Sequence, residues 1–157
     1  MSAAGIEFFP RMTGRSLDGE RYELPEDLES RWNLLVVAFR REQQEIVDEW
    51  LPWLLEQQRG HRGLAVFELP ILSSAFSPVR PFIDGGMARG VGTDEARART
   101  ITVYTNVRKV VNALGMPGTD TIAVVLVDRS GRIHARELGG YEERAADRLL
   151  AVVSDDG

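Results

Sequence analysis

WNLLVVAFRREQQEIVDEWLPWLLEQQ, residues 32–58, is the stretch on which the fold turns. Leu34-Leu35-Val36-Val37-Ala38-Phe39 is a continuous apolar run with no alternation, which predicts a strand buried on both faces of a sheet. Ile46, Val47, Trp50, Leu51, Leu54 and Leu55 then recur at three- and four-residue spacing, which predicts an amphipathic helix. Glu42, Glu45, Asp48 and Glu49 crowd its first half, where the helix dipole favours negative charge. Pro52 lies inside it and has no N–H for the carbonyl of Asp48, so a kink is expected there. The junction between strand and helix carries Arg40, Arg41, Glu42, Gln43 and Gln44, and no nucleophile.

Gly60 is a fitting end for this helix, and Leu64 to Leu69 a second apolar strand. Strand, helix and strand of these lengths make a βαβ crossover with a parallel pair. Upstream, Asp18-Gly19 is a hairpin turn between Met12–Leu17 and Arg21–Leu24. Pro25 to Leu28 suits one helical turn, and residues 1–10 read as a loose arm. Downstream, Ser77-Pro78 starts a short helix through Arg80, Phe82 and Ile83. Asp84 to Gly92 holds four glycines among nine residues and reads as a loop. Thr93 to Arg99 suits a turn of helix, and Thr100 to Tyr104 is β-branched and aromatic, hence a strand. Asn106 caps a helix through Val107, Val110, Val111 and Leu114, ending at Gly115. Thr121 to Val127 is a further apolar strand, turning at Asp128-Arg129-Ser130-Gly131 into an antiparallel strand, Arg132 to Leu138. Tyr141 to Val153 closes the chain as an amphipathic helix with Ala145, Leu149, Leu150 and Val153 inward.

The 157 residues, 43% of them apolar, suit one domain with a substantial core. The net charge of −5, from 24 acidic and 19 basic residues, argues against a general nucleic-acid binder. With no cysteine there is no disulfide, no thiolate catalysis and no cysteine metal site. His61 and His134 stand alone in polar settings, so no metal and no cofactor is expected. The first sixteen residues hold too short an apolar stretch for a signal peptide, and no later segment is long enough to span a bilayer, so the expected compartment is the cytoplasm.

The order hairpin, strand, helix, strand, helix, strand, helix, β-hairpin, helix resembles the thioredoxin-like superfamily in its peroxiredoxin-type elaboration. TIAVVLVDRSGRI, residues 121–133, is the most specific part of the match, and Pro52 in the first long helix is also typical. VVLVDRSGRIHARELGGYEERAADRLL, residues 124–150, also resembles the end of the thioredoxin-like mitochondrial ATP synthase assembly factor, and FIDGGMARGV, residues 82–91, its bacterial relatives. The resemblance implies an α/β fold, a three-layer α/β/α sandwich with a mixed central sheet and an N-terminal β-hairpin. It also implies cysteines near Gln43 or Gln44 and near Ile46 or Val47, where this chain has none, and a cis-proline near Ile122, where Pro117 comes too early. The scaffold therefore carries over and the redox chemistry does not.

No catalytic residue is assigned. The expected binding residues are Arg40, Arg41, Gln43 and Gln44 at the helix start, with Gly85, Gly86, Met87 and Arg89 of the glycine-rich stretch as a clamp. Backbone N–H groups and arginines there suit a small anion or an extended, acidic polypeptide; the opposing reading is that water satisfies them. Trp50 and Trp53 are read chiefly as core, Asp84 as structural, and Tyr104 and Tyr141 as within reach of the same cleft or packed on strand and cap. Two functions follow: a redox-inactive thioredoxin-like protein that binds a protein partner or helps assemble a complex, or an enzyme or anion-binding protein using an arginine-lined cleft.

Overall fold

A computed structural model of the protein describes residues 7–153. The apolar run is strand β3 (Trp32–Ala38), buried from Asn33 to Val37. A 3-10 turn at Arg41–Gln43 leads into α1 (Gln44–Gly60), whose Val47, Trp50 and Leu54 are buried. The chain returns as β4 (Leu64–Ser73), parallel to β3 with Trp32 opposite Leu64 and Ala38 opposite Pro70. Before this unit lies the hairpin of β1 (Met12–Ser16) and β2 (Arg21–Leu24), turning at Gly19, whose φ of 98° suits glycine. After it come α2 (Arg80–Gly90), α3 (Asp94–Arg99), β5 (Ile101–Thr105) and α4 (Val107–Ala113). The chain closes with β6 (Ala123–Asp128), β7 (Ile133–Leu138) and α5 (Glu143–Leu149).

The seven strands form one mixed sheet in the order β2-β1-β5-β4-β3-β6-β7. β3, β4 and β5 are parallel, while β1, β6 and β7 pair antiparallel with their neighbours. Side-chain alternation divides the core in two. Leu34, Val36, Val66, Val124 and Leu126 pack under α1 and α5. Leu35, Val37, Leu69, Ile101, Val103 and Val125 pack on the opposite face with Val110, Val111 and Leu114 of α4. Thr102 and Tyr104, alternating with Ile101 and Val103, face the α1 side, where α2 lies. The result is the expected three-layer α/β/α arrangement.

Four expectations change. Residues 1–6 of the arm lie outside the described residues, but residues 7–10 are not loose. Phe9 is 2% exposed, its N–H donates to the Gly131 carbonyl at 2.8 Å, and the Ile133 N–H donates to the Glu7 carbonyl at 2.8 Å. Burying one phenylalanine offsets the entropy of ordering a few residues. Pro25 to Leu28 is a turn closed by the Leu28 N–H on the Pro25 carbonyl at 3.0 Å, not a helical turn, and the Leu24–Pro25 bond is cis. Ser77 does not cap a helix: Ser73 caps a 3-10 turn over Ser74–Val79, accepting from the Ala75 N–H at 3.2 Å. Lastly, Gly85 to Gly90 is not loop but the body of α2.

The β6–β7 turn carries a pH dependence. Asp128 Oδ1 accepts from the Ser130 N–H at 2.9 Å, the Ser130 hydroxyl at 2.6 Å and the Arg132 N–H at 3.1 Å, and Oδ2 lies 2.8 Å from His134 Nε2. Burial by itself raises the Asp128 carboxyl, but these hydrogen bonds outweigh it and hold the group at about 2, below the ordinary 3.8. A depressed carboxyl contributes stability that is present above its unfolded value and is lost as pH falls through the folded one. Urea midpoints should therefore drop between pH 3.8 and about 2 more steeply in the wild type than in Asp128→Asn. Equal slopes would remove this turn as the source.

Candidate functional site

Phe39 and Arg40 leave β3 at its C-terminal end with backbone N–H groups that no strand satisfies. Gln43 answers both. Its Oε1 accepts from the Phe39 N–H at 2.9 Å and the Arg40 N–H at 3.2 Å, and its Nε2 donates to the Thr119 carbonyl at 2.7 Å. The side chain is engaged at both ends in a residue only 3% exposed. Arg40 Nη2 donates to Thr119 Oγ1 at 3.1 Å and pairs with Asp120 Oδ1 at 2.9 Å. The loop before β6 is thus tied to the start of α1 where the resemblance would put a reactive thiol. Arg41 and Gln44 remain exposed, with Gln44 Nε2 donating to Asp48 Oδ1 at 2.9 Å.

The other half of the expected site lies elsewhere. Gly85, Gly86, Met87 and Arg89 are all in α2. That helix begins beyond the C-terminal end of β4 and ends before the chain turns back to enter β5, parallel to β4. Arg89 therefore lies toward the edge of the sheet opposite Arg40, and no single clamp holds both. Arg89 folds back along its own helix, its Nη1 only 3.7 Å from where a side chain on Gly85 would begin.

At the edge shared with the α1 start, the chain leaving β4 exposes large apolar groups that sequence reasoning passed over. Phe76 is 51%, Val79 48% and Phe82 79% exposed. Their spacing of three was legible, but it reads equally well as the inward face of a short helix. The two tryptophans sort as expected: Trp50 is fully buried and donates through Nε1 to the Gly139 carbonyl at 2.9 Å. Trp53 and Tyr141 stand edge-on to it, at 5.7 Å and 5.3 Å between ring centroids.

Tyr104 belongs to a different group. Asp84 Oδ1 accepts from the Tyr104 hydroxyl at 2.8 Å, and Oδ2 accepts from Thr102 Oγ1 at 2.9 Å and Arg80 Nε at 3.2 Å. Arg80 Nη2 also donates to the Thr102 carbonyl at 2.8 Å, and the guanidinium lies 4.6 Å above the Tyr104 ring. Burial first, then the Asp84 carboxylate, push the Tyr104 hydroxyl well up, against the opposing charge of Arg80. Four residues back along β4 from the partner of Tyr104, Glu68 pairs with Arg99 at 3.4 Å, and burial raises its carboxyl despite that arginine. The i, i+4 spacing of Arg80 and Asp84 was the available signal, but their strand partners were not visible in it. Among the described residues, no three histidine, aspartate or glutamate side chains come together as a metal site. No helix among them is long and apolar enough to cross a membrane.

No protein-family model matches the chain, and no curated protein sequence matches it. Solved structures do. The thioredoxin domain of a thiol-disulfide oxidoreductase from Bacteroides vulgatus aligns over 98% of this chain and 100% of that one, with a TM-score of 0.60 and 21% identity. An exposed lipoprotein thioredoxin from Streptococcus pneumoniae covers 90% and 98%, with a TM-score of 0.59 and 14% identity. A member of the Sco family of cytochrome c oxidase assembly proteins covers 99% and 96%, with a TM-score of 0.63 and 11% identity. At these identities the likeness is one of fold, and the fold is thioredoxin-like.

Proposed function

We propose that this thioredoxin-like fold, which contains no cysteine, works by holding an extended polypeptide at the C-terminal edge of its parallel strands, in complex assembly and not in disulfide exchange. The observation that carries the reading is Gln43. A residue at the start of the central helix is buried and hydrogen-bonded to the backbone on both sides, so the scaffold is kept rigid where thiol chemistry is missing. A rigid edge lowers the ordering cost of binding. On the same edge of the sheet stand the exposed Phe76, Val79 and Phe82, after β4, and the exposed Arg41, after β3, which suit a chain carrying apolar and acidic side chains. A solved neighbour of the same fold is described as an assembly protein, which is a statement about that protein and a precedent for this one.

The test is selection from a displayed library of short random peptides. Wild-type protein should enrich sequences that combine acidic and apolar residues. Phe82→Ser with Arg41→Glu should lose that enrichment while circular dichroism stays as in the wild type. The same enrichment in the double variant would move the binding surface away from this edge. Reductant-dependent cleavage of insulin disulfides by the pure protein would overturn the non-redox half, since exchange requires a thiolate.

A further inference from the structure

We propose a second binding site, for a small organic carboxylate with an apolar body, in the cleft between α2 and the end of β1. The cleft has a volume of about 450 Å3 and is lined by Arg15 and Leu17 on one side and Arg80, Pro81, Asp84 and Gly85 on the other. That volume is within the range of small-molecule sites, about 300–1,000 Å3. The site does not depend on the polypeptide reading.

The chemistry follows from how each charge is used. Asp84 is occupied by three donors, and Arg80 is its partner. The guanidinium of Arg80 is held by Asp84, by the Thr102 carbonyl and by the ring of Tyr104, yet its Nη1 has no hydrogen-bond partner among the described residues. A guanidinium fixed on three sides and open on the fourth is a pre-organised donor for a planar carboxylate. Arg15 is exposed, and among the described residues no carboxylate pairs with it. With Asp84 balancing Arg80, Arg15 adds a positive charge that no carboxylate among the described residues pairs with, which suits an anionic ligand. Leu17, Pro81 and Ala88 give the rest of the lining an apolar character. Gly85 leaves room on the helix face: a Cβ there would meet only Arg89 Nη1, at 3.7 Å.

Benzoate and hexanoate are suitable probes, with benzyl alcohol and inorganic phosphate as comparisons, followed by amide chemical shifts of the full chain. Both acids should shift Gly85 and Ala88 saturably at millimolar concentration, and benzyl alcohol should not. Arg15→Gln should bind about tenfold more weakly, the worth of one charge-assisted contact. Gly85→Leu should not bind at all, because its side chain fills the cleft, and it should fold, because leucine is the better helix former. If Gly85→Leu does not fold, Arg15→Gln decides alone, since that side chain is exposed and supports nothing else. Unshifted wild-type resonances, equal binding by Arg15→Gln, or equal binding of benzyl alcohol would overturn the proposal. Phosphate binding as tightly as the acids would overturn its apolar half.

Discussion

Replacing Trp50 with alanine is expected to destabilise the protein by about 4 kcal/mol, the middle of the range for deleting a buried aromatic. Trp50 is the largest of the fully buried side chains, with no exposed surface. It sits on α1 between Trp53 and Tyr141, and its indole N–H satisfies the Gly139 carbonyl at 2.9 Å. Alanine loses the transfer free energy of the indole, leaves a cavity between α1 and the segment before α5, and orphans that carbonyl. Trp50→Phe keeps most of the volume but not the N–H, and should cost about half as much. Urea unfolding followed by circular dichroism measures both. A loss under about 1 kcal/mol for the alanine variant would mean the three-ring cluster is not a core.

Asp84→Ala is expected to cost about 3 kcal/mol, because it strands a partly buried arginine as well as the Tyr104 hydroxyl. Arg80 and Asp84 side chains are 25% and 16% exposed, so water screens the pair little. With the carboxylate gone, the Tyr104 hydroxyl loses its acceptor, the Thr102 hydroxyl keeps only the Arg15 carbonyl at 3.3 Å, and Arg80 keeps its charge against the sheet. The double variant Arg80→Met with Asp84→Leu should recover most of that loss, since a buried ion pair and a well-packed apolar pair of similar size are often equivalent. The Tyr104 hydroxyl offers a second readout: burial is the first cause of its raised pKa, and removing Asp84 removes the next, so its ultraviolet titration should move down. A double variant as unstable as the single one would show that the penalty is lost packing and the unpaired Tyr104 hydroxyl, and not an uncompensated charge.

These residues also separate what local sequence carries from what it does not. Leu34 to Val37 reads as a doubly buried strand because the apolar run is short, holds β-branched residues and is bounded by polar ones, and Val47, Trp50 and Leu54 read as one face of a helix because side-chain periodicity is set by backbone geometry within a few residues. The same local logic made the Asn106 cap, whose side chain accepts from the Arg108 N–H at 3.1 Å, and the Asp128 to Gly131 turn readable. The absence of cysteine settled from the sequence alone that this chain has no thiol chemistry of its own.

Residues 84–90 show the limit. Glycines at 85 and 86 weaken a helix locally, and sequence reasoning gave them to a loop. The helix forms because Arg80 and Asp84 bind Thr102 and Tyr104 on β5, partners 18 to 22 residues further along the chain. Phe9 is the same case, joined to the sheet through Gly131. Gln43 looks in the sequence like a solvent-facing residue left over from a vanished site; only the Thr119 carbonyl, 76 residues away, makes it a buried strut. What only the tertiary structure decided are these long-range pairings, because a buried donor must find an acceptor wherever the fold supplies one, and no local pattern says where that is.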